Sequence, residues 1–158
     1  MLSNSRSCEP LEDYEHMTPT QQQSLDIVSA FYAAKERRDL DATVELFADN
    51  IVYVFPLSSS GEPQPWFVFE GKAAATDYQH GVLSRFSRLH MIDPEYTVSP
   101  DGDRVFVTAK GDYVQEDGHK PYNNVYVFRF AIAEGKIHRV DEYANPVTFA
   151  KLAGLPIG

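Results

Sequence analysis

Glu142 is the side chain in this sequence best suited to proton chemistry. It lies in a strand-like run, 136–143, where alternation puts His138, Val140 and Glu142 on one face and Ile137, Arg139, Asp141 and Tyr143 on the other. In the run before it, Tyr122, Asn124, Tyr126, Phe128 and Phe130 share an aromatic face, against Asn123, Val125, Val127 and Arg129. The aromatic face is placed inward. A carboxyl group desolvated among such rings has a raised pKa, the condition for a general acid or base near neutral pH. The competing assignment is a glutamate bonded to a neighbouring strand or held at a subunit interface.

Other side chains are candidates for supporting roles. Tyr53 shares a face with Phe55 and can present a phenol to a substrate oxygen, or be a core tyrosine whose hydroxyl reaches solvent. Asn124 can orient a carbonyl or a catalytic water, or bridge two strands through its amide. Tyr32, Trp66, Tyr78, Tyr96 and Tyr113 are expected mainly as walls of a substrate pocket, with Phe55, Phe86, Tyr126, Phe128, His138 and Val140. His80, His90 and His138 are scattered, so none has a visible partner for proton shuttling, and His119 falls in a turn. There is no His-Glu-x-x-His, paired-cysteine or close His/carboxylate spacing, no glycine-rich phosphate loop and no Gly-x-Ser-x-Gly. No metal and no cofactor are therefore expected.

Positioning these residues requires helices first and strands afterwards. Thr18-Pro19 with Gln21 three residues after Thr18 predicts a capped helix start, and Leu25, Val28, Phe31, Tyr32 and Lys35 recur at helical steps to about residue 38. Asp41 is expected to cap a short second helix running through Phe47, before a strand over 51–56. A turn-rich loop at 58–63 leads to a returning strand over 66–70. Residues 72–90 contain no proline, and Val82, Phe86 and Leu89 fall on one helical face, so a third helix is predicted there. Turn signals at Pro100-Asp101-Gly102, Glu116-Asp117-Gly118 and Glu134-Gly135 then divide a four-strand meander over 95–99, 104–115, 122–133 and 136–143. Asn145-Pro146 opens a short C-terminal helix ending near Gly154.

Composition narrows the function classes. The chain has 158 residues, 43% of them hydrophobic, enough for one core around a pocket, and we expect a single domain over 18–158 preceded by a loose polar arm, 1–17, that packs through Leu11, Tyr14 and Met17. A formal charge of −9, from 14 basic and 23 acidic residues, argues against nucleic acid or an anionic membrane as partner. Cys8 is the single cysteine, which excludes an internal disulfide and suits a reducing cytoplasm. No secretory signal and no transmembrane run is visible.

The order helix-helix-hairpin-helix-meander, the stretch from Asp39-Leu40-Asp41 to Phe47-Ala48-Asp49, and the close from Gly135-Lys136-Ile137 to Glu142-Tyr143-Ala144-Asn145-Pro146 resemble the NTF2-like, or SnoaL-like, superfamily over about residues 20–150. The resemblance implies an α+β cone: three N-terminal helices packed on a curved antiparallel sheet that encloses a cavity, with Glu142, Tyr126 and Phe128 pointing into it. Pairing into a homodimer through the sheet is common in such proteins.

Within the superfamily, the catalytic places of ketosteroid isomerases fall at Phe31, Phe55 and Tyr126, and two of the limonene-epoxide-hydrolase places at Pro121 and Asn123, so neither mechanism carries over whole. Tyr122-Asn123-Asn124 and Glu142 to Pro146 are similar to SnoaL-like cyclases and the PhzA/PhzB-like group. There the matching glutamate is an acid/base residue, and the group's helix-three histidine falls at Tyr78, with His80 nearby. The resemblance implies a cofactor-independent cyclase or isomerase, or an epoxide-opening enzyme, acting on a small apolar oxygenated metabolite such as a polyketide or terpenoid. The alternative is a non-catalytic binding or protein-docking module, because one fold serves many functions.

Overall fold

A computed structural model describes residues 16–158. The expected arm, with Leu11 and Tyr14, lies outside the described residues except for His16 and Met17. Helix α1 (Pro19–Glu36) begins with the reciprocal capping box: Thr18 Oγ1 accepts from Gln21 N at 3.1 Å, and Gln21 Oε1 accepts from Thr18 N at 2.9 Å. Its buried stripe is Ser24, Ile27, Val28, Phe31, Ala34 and Lys35. Ser24 Oγ donates to Gly102 O at 2.6 Å and Gln21 Nε2 to Ser99 O at 3.1 Å, which pins the first half of α1 to a hairpin of the sheet.

The chain reverses at Arg38, whose φ of 63° is left-handed, and α2 (Leu40–Glu45) follows at once. Its cap is Asp39, whose Oδ1 accepts from Ala42 N at 2.9 Å, in place of the expected Asp41. The turn at Arg38 brings Asp39 round to the free N–H groups, and Asp41 falls in the first turn, where a carboxylate complements the helix dipole. The helix stops before Phe47 because that residue already belongs to β1 (Phe47–Phe55), paired with Ile137 and buried.

After β2 (Phe67–Glu70), α3 runs over Lys72–Arg85, five residues short of the expected end at 90. Arg38 closes it, its guanidinium donating to Phe86 O and, at 2.6 Å, to Leu83 O. Residues 86–90 are instead the start of β3 (Phe86–Val98), laddered to β4 (Arg104–Gln115) through pairs such as Leu89 with Tyr113. Apolar residues three and four apart suit either state locally, and the long pairing with β4 decides for the strand. The expected strand 122–133 is divided at Asn123-Asn124 into β5 (Pro121–Tyr122) and β6 (Val125–Ala133). Strand β7 (Lys136–Ala144) and α4 (Pro146–Ala153) complete the chain.

The strands form one sheet in the order β2-β1-β7-β6-β4-β3, with β5 on β4. Neighbours are antiparallel except β1 and β7, which run parallel, a departure from the all-antiparallel expectation. The sheet curls into a half-barrel and α1 and α3 pack against it, giving the α+β cone. Rings of Tyr126, Phe128 and Phe130 stack along β6 at 5.3 and 6.0 Å, and Phe31 and Tyr32 of α1 meet Phe130 edge-on. This aromatic spine is the floor on which α1 rests. Among the described residues no helix is long and apolar enough to cross a membrane.

Candidate active site

A cavity of about 180 Å³ opens into the cone. One wall comes from β1, β2 and α3 through Phe55, Phe69 and Tyr78, whose rings pack at 5.4 and 4.7 Å about Tyr78. The opposite wall comes from β4, β5 and β6 through Tyr113, Tyr122 and Tyr126. Trp66 meets Phe149 edge-on at 5.6 Å at the mouth, where Leu57 and Arg85 are exposed. Asn145 sets Phe149 there: its Oδ1 accepts from Val147 N at 3.0 Å and starts α4 directly after β7.

Two ionisable side chains lie at the inner end. Glu142, 8% exposed, faces Phe128 across the β6–β7 ladder, and its Oε2 accepts a 2.6 Å hydrogen bond from the Tyr53 hydroxyl. Its Oε1 takes no hydrogen bond from the described residues and is open to the cavity. Burial pushes the Glu142 carboxyl above its ordinary value, while the Lys35 ammonium and then the Tyr53 hydrogen bond pull it back. Lys35, 6% exposed, comes from the last turn of α1, with Nζ 5.2 Å from the Phe31 ring centroid. Burial lowers its pKa, and the charge of Glu142 opposes that shift. Burial, reinforced by the charge of Glu142, raises the phenols of Tyr53, Tyr78 and Tyr113, so these hydroxyls remain donors at neutral pH.

Of the residues singled out in the sequence, Glu142, Phe55, Trp66, Tyr78, Phe86, Tyr113 and Tyr126 line the cavity. Tyr53 is fully buried behind Glu142 and donates its hydrogen bond to that carboxylate, so its hydroxyl acts on a ligand through Glu142. Asn124 is not in the cavity. Its Nδ2 donates to Tyr122 Oη at 2.7 Å and Asn145 O at 3.1 Å, and its Oδ1 accepts from Val125 N at 2.8 Å and Asn145 N at 3.1 Å. The amide is fully used in tying the β5–β6 break to the end of β7, which leaves nothing for a substrate carbonyl.

Tyr32, Phe128 and Val140 belong to the packed core outside the lining, and the Tyr32 hydroxyl is buried without a partner among the described residues. Tyr96 on β3 packs half-buried against the core, also outside it. The expected inward face of β7 is corrected at His138. Ile132 pairs with Ile137 and Ala131 with Arg139, so His138 is the extra residue of a β-bulge. The bulge turns Ile137 inward on one side and Val140 and Glu142 inward on the other, and His138 Nε2 lies 3.2 Å from Ala133 O near the surface. His80, His90 and His119 are exposed, and His90 pairs with Glu36 at 2.7 Å.

Lys35 and Phe149 are among the site residues that sequence reasoning passed over, with Leu57, Phe67, Phe69 and Arg85. Lys35 had a signal, a cation in step with the apolar stripe of α1, and Phe149 had a weaker one, an aromatic in the first turn after the Asn145 cap. Among the described residues no group of three His, Cys, Asp or Glu is placed to hold a metal ion.

Comparison with known proteins bears on the fold that carries this cavity. The profile of the SnoaL-like domain matches residues 28–140. A crystal structure of a proposed isomerase from Bacillus subtilis superposes with a TM-score of 0.75 at 24% identity, covering 89% of this chain and 99% of that one. A proposed polyketide cyclase from Xanthomonas campestris gives a TM-score of 0.69 at 22% identity, over 82% and 96% of the two chains. TerC, co-crystallised with polyporic acid, gives 0.66 at 18% identity over 84% and 98%. At these identities the solved structures establish a shared fold.

Proposed function

The chain belongs to the SnoaL-like family, and from that premise we propose that it is a cofactor-independent acid/base enzyme, a cyclase or isomerase of a small, largely apolar, oxygenated metabolite. One observation carries the proposal: a buried carboxyl, Glu142, has one oxygen held by Tyr53 and the other open to an aromatic cavity. In this reading Oε1 takes a proton from a carbon beside a substrate carbonyl, or returns it, while Tyr53 fixes the plane of the carboxylate. The rings of Phe55, Tyr78 and Tyr126 fold the substrate against it. Polyketide and terpenoid skeletons are the substrate classes such a cavity suits, and the co-crystallisation of TerC with polyporic acid supports a small-molecule ligand. Epoxide opening is the less favoured reaction, because a water activated by Glu142 would have no second side-chain carboxylate in the cavity lining to hold it.

The test is conversion of a panel of polyketide-like, terpenoid and epoxide compounds, followed by mass spectrometry. Glu142→Gln is expected to lower turnover by about 10²–10⁴-fold, the scale of general acid/base catalysis. Full turnover by that variant would remove the assignment. A second reading is a binding module. It is favoured by the engagement of Tyr53 and Asn124 with protein groups, and binding without conversion by the wild type would support it.

We further propose a cytoplasmic protein with one domain over residues 18–158, paired as a homodimer through the outer face of the sheet. There Phe106, Val125, Val127 and Tyr143 stand exposed on adjacent strands.

A further inference from the structure

Lys35 and the exposed Arg85 are the cations lining the cavity of a chain whose formal charge is −9. Lys35 is the unusual one. It is nine-tenths buried and faces the cavity, and its ammonium makes no hydrogen bond or ion pair among the described residues, its neighbours being the Phe31 ring and, at longer range, the charge of Glu142. A buried ammonium without an acceptor is costly, and buried charges are ordinarily paired. Glu142 does not supply the missing acceptor. Its Oε2 is committed to Tyr53, and neither carboxyl oxygen forms an ion pair with the Lys35 ammonium.

We propose that the ligand is an apolar, ring-bearing acid whose ionised oxygen, a carboxylate or an enolate, is held by Lys35 at the inner end of the cavity. This deepens the reading of the cavity as a substrate site by naming its charge class, and it rests on that reading. The rings of Tyr113 and Tyr126 take the apolar body of the ligand, the Lys35 ammonium donates to its oxygen, and Arg85 at the mouth adds a field that draws anions inward. A substrate so held places its neighbouring carbon within the same inner end as Glu142 Oε1. Lys35 is therefore a specificity-determining residue.

The test compares 2-naphthoate with its neutral isostere 2-naphthamide by titration calorimetry, with no turnover required. Wild-type protein is expected to bind the acid about 10–100-fold more tightly than the amide, the range of a hydrogen bond to a charged group. Lys35→Met is expected to bring the two within about threefold by weakening the acid and sparing the amide, whose affinity reports that the variant is folded. Equal binding of both compounds by the wild type, no binding of either, or an acid preference that survives in Lys35→Met would each overturn the proposal. Glu142→Gln removes a like charge and is expected to bind the acid at least as tightly as the wild type. Loss of acid binding in that variant counts against Lys35 as the holder, whereas retained turnover in it counts against the catalytic reading alone.

Discussion

Glu142 is held between influences of opposite sign. Withdrawal from water favours the neutral acid, while the Lys35 ammonium and the Tyr53 hydroxyl favour the carboxylate, Lys35 more strongly. Removing either partner leaves the desolvation less opposed, so the carboxyl pKa should rise in both Tyr53→Phe and Lys35→Met, and more in the second. Carbon-13 NMR of labelled glutamate reads this without a substrate, and a downward shift in either variant would contradict the arrangement. If Glu142 acts as a base, its ionised form is the active one, and the acid limb of the rate profile moves to higher pH in both variants. These effects were partly legible in the chain. The carboxylate on the last strand and the lysine in step with Phe31 were visible as residue types, but their common cavity was not, because they come from opposite ends of the sequence.

At the scale of elements, the β5–β6 break is the joint that places the site. Asn124 satisfies four polar groups there, including both backbone groups of Asn145, and Asn145 in turn caps the helix that sets Phe149 at the mouth. Asn124→Ala is therefore expected to destabilise the protein by about 2–4 kcal/mol, since it leaves buried donors and acceptors unpaired. A urea midpoint within error of the wild type would show that the joint is not structural. Local chemistry announced some elements and not others. The capping box at Thr18 and Gln21 is specified by four consecutive residues and forms as the pattern predicts. The end of α3 at Arg85 is set from outside, by Arg38 on its last carbonyls and by β4 alongside Phe86 to Val98. The His138 bulge likewise exists because of the register between β6 and β7.

At the scale of the whole molecule, the outer sheet face combines apolar and charged groups. Val125 is 57% and Val127 42% exposed, while Asp141 beside them is buried under Arg129 and Arg139 in a network with a closest approach of 2.9 Å. An internally paired charge cluster bordered by exposed valines suits a self-complementary contact about a two-fold axis. Val127→Lys is expected to convert a dimer to a monomer in sedimentation equilibrium with an unchanged circular dichroism spectrum. A monomeric wild type would remove the dimer proposal.

Several features of this protein follow from its residues in order. The capped first helix, the turns at Gly102 and Gly135, the meander and the aromatic alternation of β6 each depend on neighbours a few positions apart. Glycine in the left-handed region and period-two burial are local properties, so these were readable from the chain alone. The tertiary structure decided where α3 yields to β3, that β1 joins β7 in parallel, that His138 is expelled, and that Asn124 serves the backbone. It also decided that Lys35 and Glu142, 107 positions apart, share one cavity. Each of these depends on contacts between distant segments, whose geometry no local preference encodes. The desolvation that sets the chemistry of Glu142 arises when those segments close over it.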